Sequence, residues 1–160
     1  EARVDPRLAG RALELLSRAA PVQAVWRGPV FTFPSEFPSP EDVPSIAVTE
    51  DNAHVLGRWL PDWLPDVPHR QPFLAALQDG AAVSVGASVR ITPRAHQAGV
   101  ETHPDFRHQG RAAGVVQAWA GAVRSRGAEP IYSTSWENAA SQAVARKLGL
   151  GLVAADFHIR

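Results

Sequence analysis

Between two strand-like runs, His96 to Thr102 and Ile131 to Trp136, the chain places Ala112, Val115, Val116, Trp119 and Val123 at i, i+3, i+4, i+7 and i+11. That spacing puts five apolar side chains on one face of a helix, with Gly127 near its expected end. One amphipathic helix between two strands buries its stripe by packing back onto their sheet. The two strands are therefore expected to lie parallel, joined by a crossover.

The flanking segments extend this pattern. Asp5-Pro6 reads as a helix N-cap followed by proline at the first helical position, with Leu8, Ala12, Leu15, Leu16 and Ala19 at helical spacing before Pro21. Val22 to Phe33 suggests one or two strands around Gly28-Pro29, and the proline-rich stretch from Pro34 to Pro44 a long loop. Ser45 to Thr49 is a short strand candidate. Asp51 to Leu60 reads as a helix stopped by Pro61, Pro65 and Pro68, with Trp59 and Trp63 flanking its exit. Those two tryptophans suit packing beneath a loop, or a wall of an acceptor pocket. Phe73 to Leu77, an Asp79-Gly80 turn and Ala82 to Ile91 form a hairpin signal. Asn138 to Leu148 reads as a helix with Gly149 at its stop, and Leu152 to Ile159 as a closing strand. An antiparallel meander followed by the crossover predicts one α/β domain over 1–160 with a mixed sheet.

Charge and cysteine narrow the chemistry. The formal net charge is zero, so bulk electrostatics favours neither nucleic acid nor a membrane surface as partner. The absence of cysteine removes disulfides, Cys-ligated zinc and thiol nucleophiles. The sequence holds no apolar run of about 18 residues, and the given N-terminus is charged, so a cytoplasmic protein is expected. The histidines show no HxxxH pair, and no metal site is expected.

The junction "THPDFRHQGRAAG", residues 102–114, sets positive charge and small residues at a strand-to-helix turn. The first turn of a helix leaves backbone N–H groups without internal partners, and the helix dipole adds partial positive charge there. Gly110 and Ala112 remove bulk, so a phosphate or pyrophosphate could approach those amides. The same residues also suit an ordinary helix start with a surface arginine pair. The segment lacks both the nucleotide triphosphatase loop and the three-glycine dinucleotide fingerprint.

"GVETHPDFRHQGRAAGVVQAW" resembles motif A of the GCN5-related N-acetyltransferase (GNAT) superfamily, whose signature is Gln/Arg-x-x-Gly-x-Gly/Ala. "SWENAASQAVARKLGL" resembles the motif that follows it, in which Asn begins a helix ending in Lys-Leu-Gly. The likeness covers roughly 73–160 and is greatest to the FR47-like subgroup; residues 1–70 carry no matching motif. It implies an α/β (α+β) fold, a mixed, mostly antiparallel central sheet flanked by helices. Within it, a parallel strand–helix–strand crossover is splayed to hold acetyl-CoA. Residues 73–160 would form the cofactor-binding core, and 1–70 the acceptor side.

Carried onto this chain, the resemblance places the pyrophosphate at the amides of Arg107, Gln109, Gly110, Ala112 and Ala113, with the side chains of Arg107, His108 and Arg111 alongside. Val100, Glu101 and Thr102 would hydrogen-bond the pantetheine arm as an added strand does, and an N–H there would stabilise an oxyanion. Asn138 and Ser141 would contact the cofactor, Asn138 also serving as a helix N-cap. One position departs from the family: the tyrosine that protonates the leaving thiolate, seven residues after the motif asparagine, is Ala145 here. Tyr132 is the only tyrosine, and the resemblance gives it no such role.

A general base must accept the amine's proton. Glu101 is the first candidate, with His96 and His103 behind it; Asp156 and His158 could line the same region, and Ser133, Thr134 and Ser135 are expected to face the site. The function implied is transfer of acetyl from acetyl-CoA to an amine of a small-molecule or peptide acceptor by direct attack. No metal, nucleic acid or membrane is involved, and homodimers are common in the superfamily. The alternative is a non-catalytic acyl-CoA-binding module that keeps the cradle without the chemistry.

Overall fold

The computed structural model describes residues 6–37 and 43–159. The expected Asp5 cap and the middle of the 34–44 loop lie outside the described residues. The chain runs α1 (Pro6–Ser17), β1 (Val25–Thr32), β2 (Ser45–Ala47), two 3₁₀ helices (Glu50–Leu56 and Pro61–Asp66), β3 (Phe73–Gln78), β4 (Ala81–Ile91) and β5 (Ala95–Thr102). A short 3₁₀ turn (Pro104–Phe106) leads to α2 (Arg111–Arg124), β6 (Glu129–Ser133), α3 (Ala139–Lys147) and β7 (Gly151–Ile159).

The seven strands form one sheet in the order β2-β3-β4-β5-β6-β1-β7. β3, β4 and β5 make the expected antiparallel meander, and Asp79 and Gly80 both take positive φ (50° and 76°), as a two-residue hairpin turn requires. Only β5 and β6 are parallel, joined through α2. β1 is a single strand inserted between β6 and β7, antiparallel to both.

The helix expected over Asp51–Leu60 is a shorter 3₁₀ helix over Glu50–Leu56. Only Val55 and Leu56 of it are buried, so no second apolar turn supports a longer helix, and the prolines from Pro61 onward block continuation. Its start is fixed by the Thr49 N–H, which donates to Asn52 Oδ1 at 2.8 Å.

The sheet separates two cores. On one face α2 and α3 bury Val115, Val116, Trp119, Val123 and Leu148 against Leu74, Ala76, Ala98 and Tyr132. On the other, Val55, Leu56, Leu60 and Val67 cover Phe73, Ala75, Val85 and Ala87. Val85 pairs with Glu101 and Ala87 with Gly99. Strand alternation therefore turns Gln97, Gly99 and Glu101 to the face without α-helices, and His96, Ala98 and Val100 to the face under α2.

Candidate active site

β5 and β6 pair only through Ala95↔Glu129, His96↔Pro130 and Gln97↔Ile131. Beyond that register they part. β6 stays with β1, where Ser133 pairs with Val30, and the chain continues beside it: the Thr134 N–H donates to Pro29 O at 3.3 Å and the Trp136 N–H to Arg27 O at 3.4 Å. β6 ends three residues short of the expected Trp136, where Pro29 has no N–H to return a ladder bond. The Gln97 side-chain amide donates to Ser133 Oγ across the apex of the opening.

The gap is a cavity of about 290 Å³, lined by Ala98, Gly99 and Val100 on one lip and by Tyr132, Ser133, Thr134 and Ser135 on the other. Asn138 and Ser141 close its helix side. Trp26 of β1 lines it too, a contribution that sequence reasoning missed because nothing in the pattern placed β1 beside β6. The expectation that Ser133, Thr134 and Ser135 face the site agrees with this lining. Val100 belongs to the same wall, and Thr102 Oγ1 shares a hydrogen bond with Ser84 Oγ at 2.7 Å.

Between β5 and α2, His108 (φ 61°) and Gly110 (φ 77°) both take left-handed backbone conformations that turn the chain into α2. Gly110 is the N-cap of α2 and supplies no side chain to its amides. The first-turn N–H groups of Arg111, Ala112 and Ala113 are thus the donor set that an anionic phosphate needs. The arginines divide the work. Arg107 is exposed and its Nε donates to Thr102 O at 3.1 Å. Arg111 turns its guanidinium to the end of β3, donating to Leu77 O at 3.3 Å and Gln78 Oε1 at 2.6 Å, and its Nε to Gln109 Oε1 at 3.1 Å. Its side chain anchors the loop while its backbone N–H stays at the helix start.

On the face without α-helices, the Trp63 Nε1–H donates to Glu101 Oε2 at 2.6 Å. Trp63 itself stands edge-on to Phe73, with ring centroids 5.6 Å apart. Trp59 packs on His103 at 4.7 Å and Phe106 at 5.4 Å. Trp59 therefore packs against the junction loop and Trp63 against the start of β3, and Trp63 also holds the candidate base. Further along this face, Arg90 Nη2 donates to His158 Nδ1 at 3.0 Å and His158 Nε2 to Asp156 Oδ2 at 2.7 Å. The His158 ring lies 5.2 Å from that of Trp26.

His96 is placed elsewhere. It is buried on the α2 face, opposite to Glu101. The Trp119 indole N–H donates to Ser88 Oγ at 3.1 Å, and Ser88 Oγ shares a hydrogen bond with His96 Nδ1 at 2.9 Å. The indole can only donate, so Ser88 Oγ accepts from Trp119 and pairs with His96 Nδ1 through its remaining hydrogen-bonding capacity. Burial first, and then the Arg126 guanidinium, hold the His96 pKa below its usual value. His96 is thus a neutral imidazole held in the core rather than a group facing the acceptor.

Asn138 accepts the Ser141 N–H at 2.9 Å and caps α3. Tyr132 is buried, and its hydroxyl lies 2.5 Å from Ser141 Oγ. Burial raises its pKa, with the Ser141 hydrogen bond opposing the rise. Ala145 is buried in the same core. Among the described residues, no group of three His, Asp or Glu side chains gathers to hold a metal, and no helix is long and apolar enough to cross a membrane.

The one parallel pair of this mixed sheet opens midway, and the helix that joins its two strands begins at a glycine without a side-chain cap. The sequence matches the acetyltransferase (GNAT) family profile over residues 34–150, and the chain belongs to that family. A GNAT-family protein from Novosphingobium aromaticivorans DSM 12444 shares the fold at TM-score 0.71 and 20% identity, over 86% of this chain and 65% of that one. A GCN5-related N-acetyltransferase-like protein from Streptococcus suis 89/1591 does so at TM-score 0.66 and 19% identity, over 92% and 67%. The aminoglycoside N-acetyltransferase AAC(6')-Iy, solved with CoA, matches at TM-score 0.53 and 21% identity, over 66% of this chain and 90% of that one. This chain thus spans about two thirds of the length of the first two structures. No curated protein matches the sequence.

Proposed function

We propose that the protein is an acetyl-CoA-dependent N-acetyltransferase, acting on an amine by direct attack. The observation that carries this is the opening between β5 and β6, whose connecting helix α2 starts at Gly110 without a side-chain cap. Residues 107–113 would receive the pyrophosphate, the free edge of Val100 to Thr102 the pantetheine arm, and Asn138 and Ser141 the far wall. Bound there, acetyl-CoA supplies an activated acyl group as its thioester. The acceptor approaches from the helix-free face, where Glu101 takes the proton of the amine, directly or through one water. Trp63 orients that carboxylate. The two quoted motifs support an FR47-like placement within the family. Zero net charge supports a small amine or a peptide as acceptor rather than nucleic acid, and the lack of cysteine suits a cytoplasmic protein.

Ala145 supports a second reading, an acyl-CoA-binding module without turnover, because the family's usual proton donor is missing from that position. Two measurements separate the readings. Calorimetric titration with acetyl-CoA should show binding in the micromolar range, weakened tenfold or more in Gly110→Val; no binding at tens of micromolar removes both. Thiol release from acetyl-CoA with a panel of primary amines should exceed the amine-free rate. Binding without such release leaves the non-catalytic module.

A further inference from the structure

We propose that the Tyr132–Ser141 hydroxyl pair supplies the proton that the departing CoA sulfur needs, in place of a side chain at position 145. This rests on the acetyltransferase function proposed above and concerns the same cavity. Tyr132 comes from β6 and Ser141 from the first turn of α3, and both line the gap. Their hydroxyls are 2.5 Å apart, and the Tyr132 hydroxyl also lies 3.4 Å from Ser141 O.

The position of Ala145 explains the arrangement. A helical side chain leans toward the helix N-terminus and covers the turn before its own Cα. A tyrosine at 145 would therefore deliver its hydroxyl over the turn that contains Ser141. In this chain the Tyr132 ring, rising from the strand below, brings a hydroxyl to that same turn, and Ala145 is small enough to pack in the core beside it. The phenol thus reaches one place from the strand instead of from the helix. Ser141 is held in turn: its backbone N–H donates to the Asn138 cap at 2.9 Å, which fixes the turn that carries its side chain.

The proton balance closes without an added reagent. The C–N bond forms as the C–S bond breaks, and the amine's proton passes to Glu101 and then to water. The Ser141 hydroxyl gives its proton to the sulfur and takes the Tyr132 proton, and water in the open cavity reprotonates the phenol. Burial holds Tyr132 in its O–H form at neutral pH, which is the donating form.

The test uses Tyr132→Phe and Ser141→Ala in the full chain. Each is assayed with the best amine of the panel against acetyl-CoA and against thiophenyl acetate, whose thiolate leaves without needing a proton. Tyr132→Phe should lower kcat with acetyl-CoA by about a hundredfold, with KM and CoA affinity within about twofold of wild type. With thiophenyl acetate the deficit should shrink to about twofold. Ser141→Ala should show the same loss of kcat and the same recovery with thiophenyl acetate, with some loss of CoA affinity because Ser141 also walls the proposed cofactor site; this guards against a packing defect confined to the phenylalanine variant. An unchanged kcat in both variants, or equal losses with both thioesters, overturns the assignment. A wild-type protein that releases no thiol with any amine overturns the parent function as well, an outcome distinct from variants that match an active wild type.

Discussion

Trp63 and Glu101 are 38 residues apart in sequence, yet the indole N–H reaches the carboxylate at 2.6 Å. The bond ties the 3₁₀ segment of the N-terminal half to the β5 edge. It leaves the second carboxylate oxygen for an incoming amine, since an ionised carboxyl group accepts at both oxygens.

Glu101→Gln should therefore reduce kcat by about a hundredfold, the lower part of the range for losing a general base. Affinity for acetyl-CoA should stay within about twofold, because the contact proposed for Glu101 with the cofactor is through its backbone, which the substitution keeps. Trp63→Phe keeps the packing on Phe73 but removes the donor, and a loss of about tenfold in kcat/KM is expected. Steady-state thiol release with parallel calorimetry checks both, and a Glu101→Gln enzyme as fast as wild type moves the base elsewhere.

Much of the architecture was legible because it is periodic or local. The α2 stripe, the Asp79-Gly80 hairpin and the Asn138 cap each announce themselves within a dozen residues. The insertion of β1 between β6 and β7 was not legible, because a strand's own pattern does not say which strand it pairs with. Trp26 was missed for that reason. His96 was misplaced although a signal existed. It shares strand parity with Ala98 and Val100, and Ala98 and Val100 are apolar, which marks the core side. Tyr132 lay in plain sight as the only tyrosine. Its contact with Ser141 depends on how α3 packs over β6, which local pattern does not encode. The junction loop was read correctly as a strand-to-helix turn, but the division between Arg107 and Arg111 needed coordinates.

That division makes a second prediction. Arg111→Ala removes two charge-assisted hydrogen bonds to β3 and should destabilise the half-buried junction by about 1–2 kcal/mol. Arg107→Ala, at an exposed site, should leave the thermal midpoint nearly unchanged while weakening CoA binding at low salt more than at high salt. Melting curves and titrations at two ionic strengths separate the roles. An Arg111→Ala protein as stable as wild type refutes the anchoring role.

His96 gives the third. Its folded-state pKa is depressed, so the unfolded chain binds the proton first as pH falls. The stability it contributes is fully present above its unfolded pKa of about 6.5, and is lost as pH drops from there toward the folded value. Urea midpoints should fall between about pH 7 and 5 in the wild type. In His96→Gln, which keeps an acceptor for Ser88 but cannot titrate, that fall should be smaller. Arg126→Ala should narrow the window by letting the folded pKa rise.

The last prediction concerns the hinge of the opening itself. A Cβ built on Gly28 would stand 1.7 Å from the Thr134 carbonyl oxygen and 2.9 Å from the Trp26 ring. The first contact is with backbone, which has no rotamer through which to give way, so Gly28→Ala must push residues 134–136 off β1. The strain should cost about 3 kcal/mol, the upper part of the range for overpacking. It should also disturb the lip formed by Thr134 and Ser135, weakening CoA binding in the fraction that still folds. Gly121→Ala is the control, because a Cβ there meets nothing within 4 Å; in the middle of α2 it should be neutral or stabilising by about 0.5–1 kcal/mol. If chemical denaturation shows the two alanine variants equally stable, the close approach of β1 to the chain beyond β6 is not what holds the sheet open.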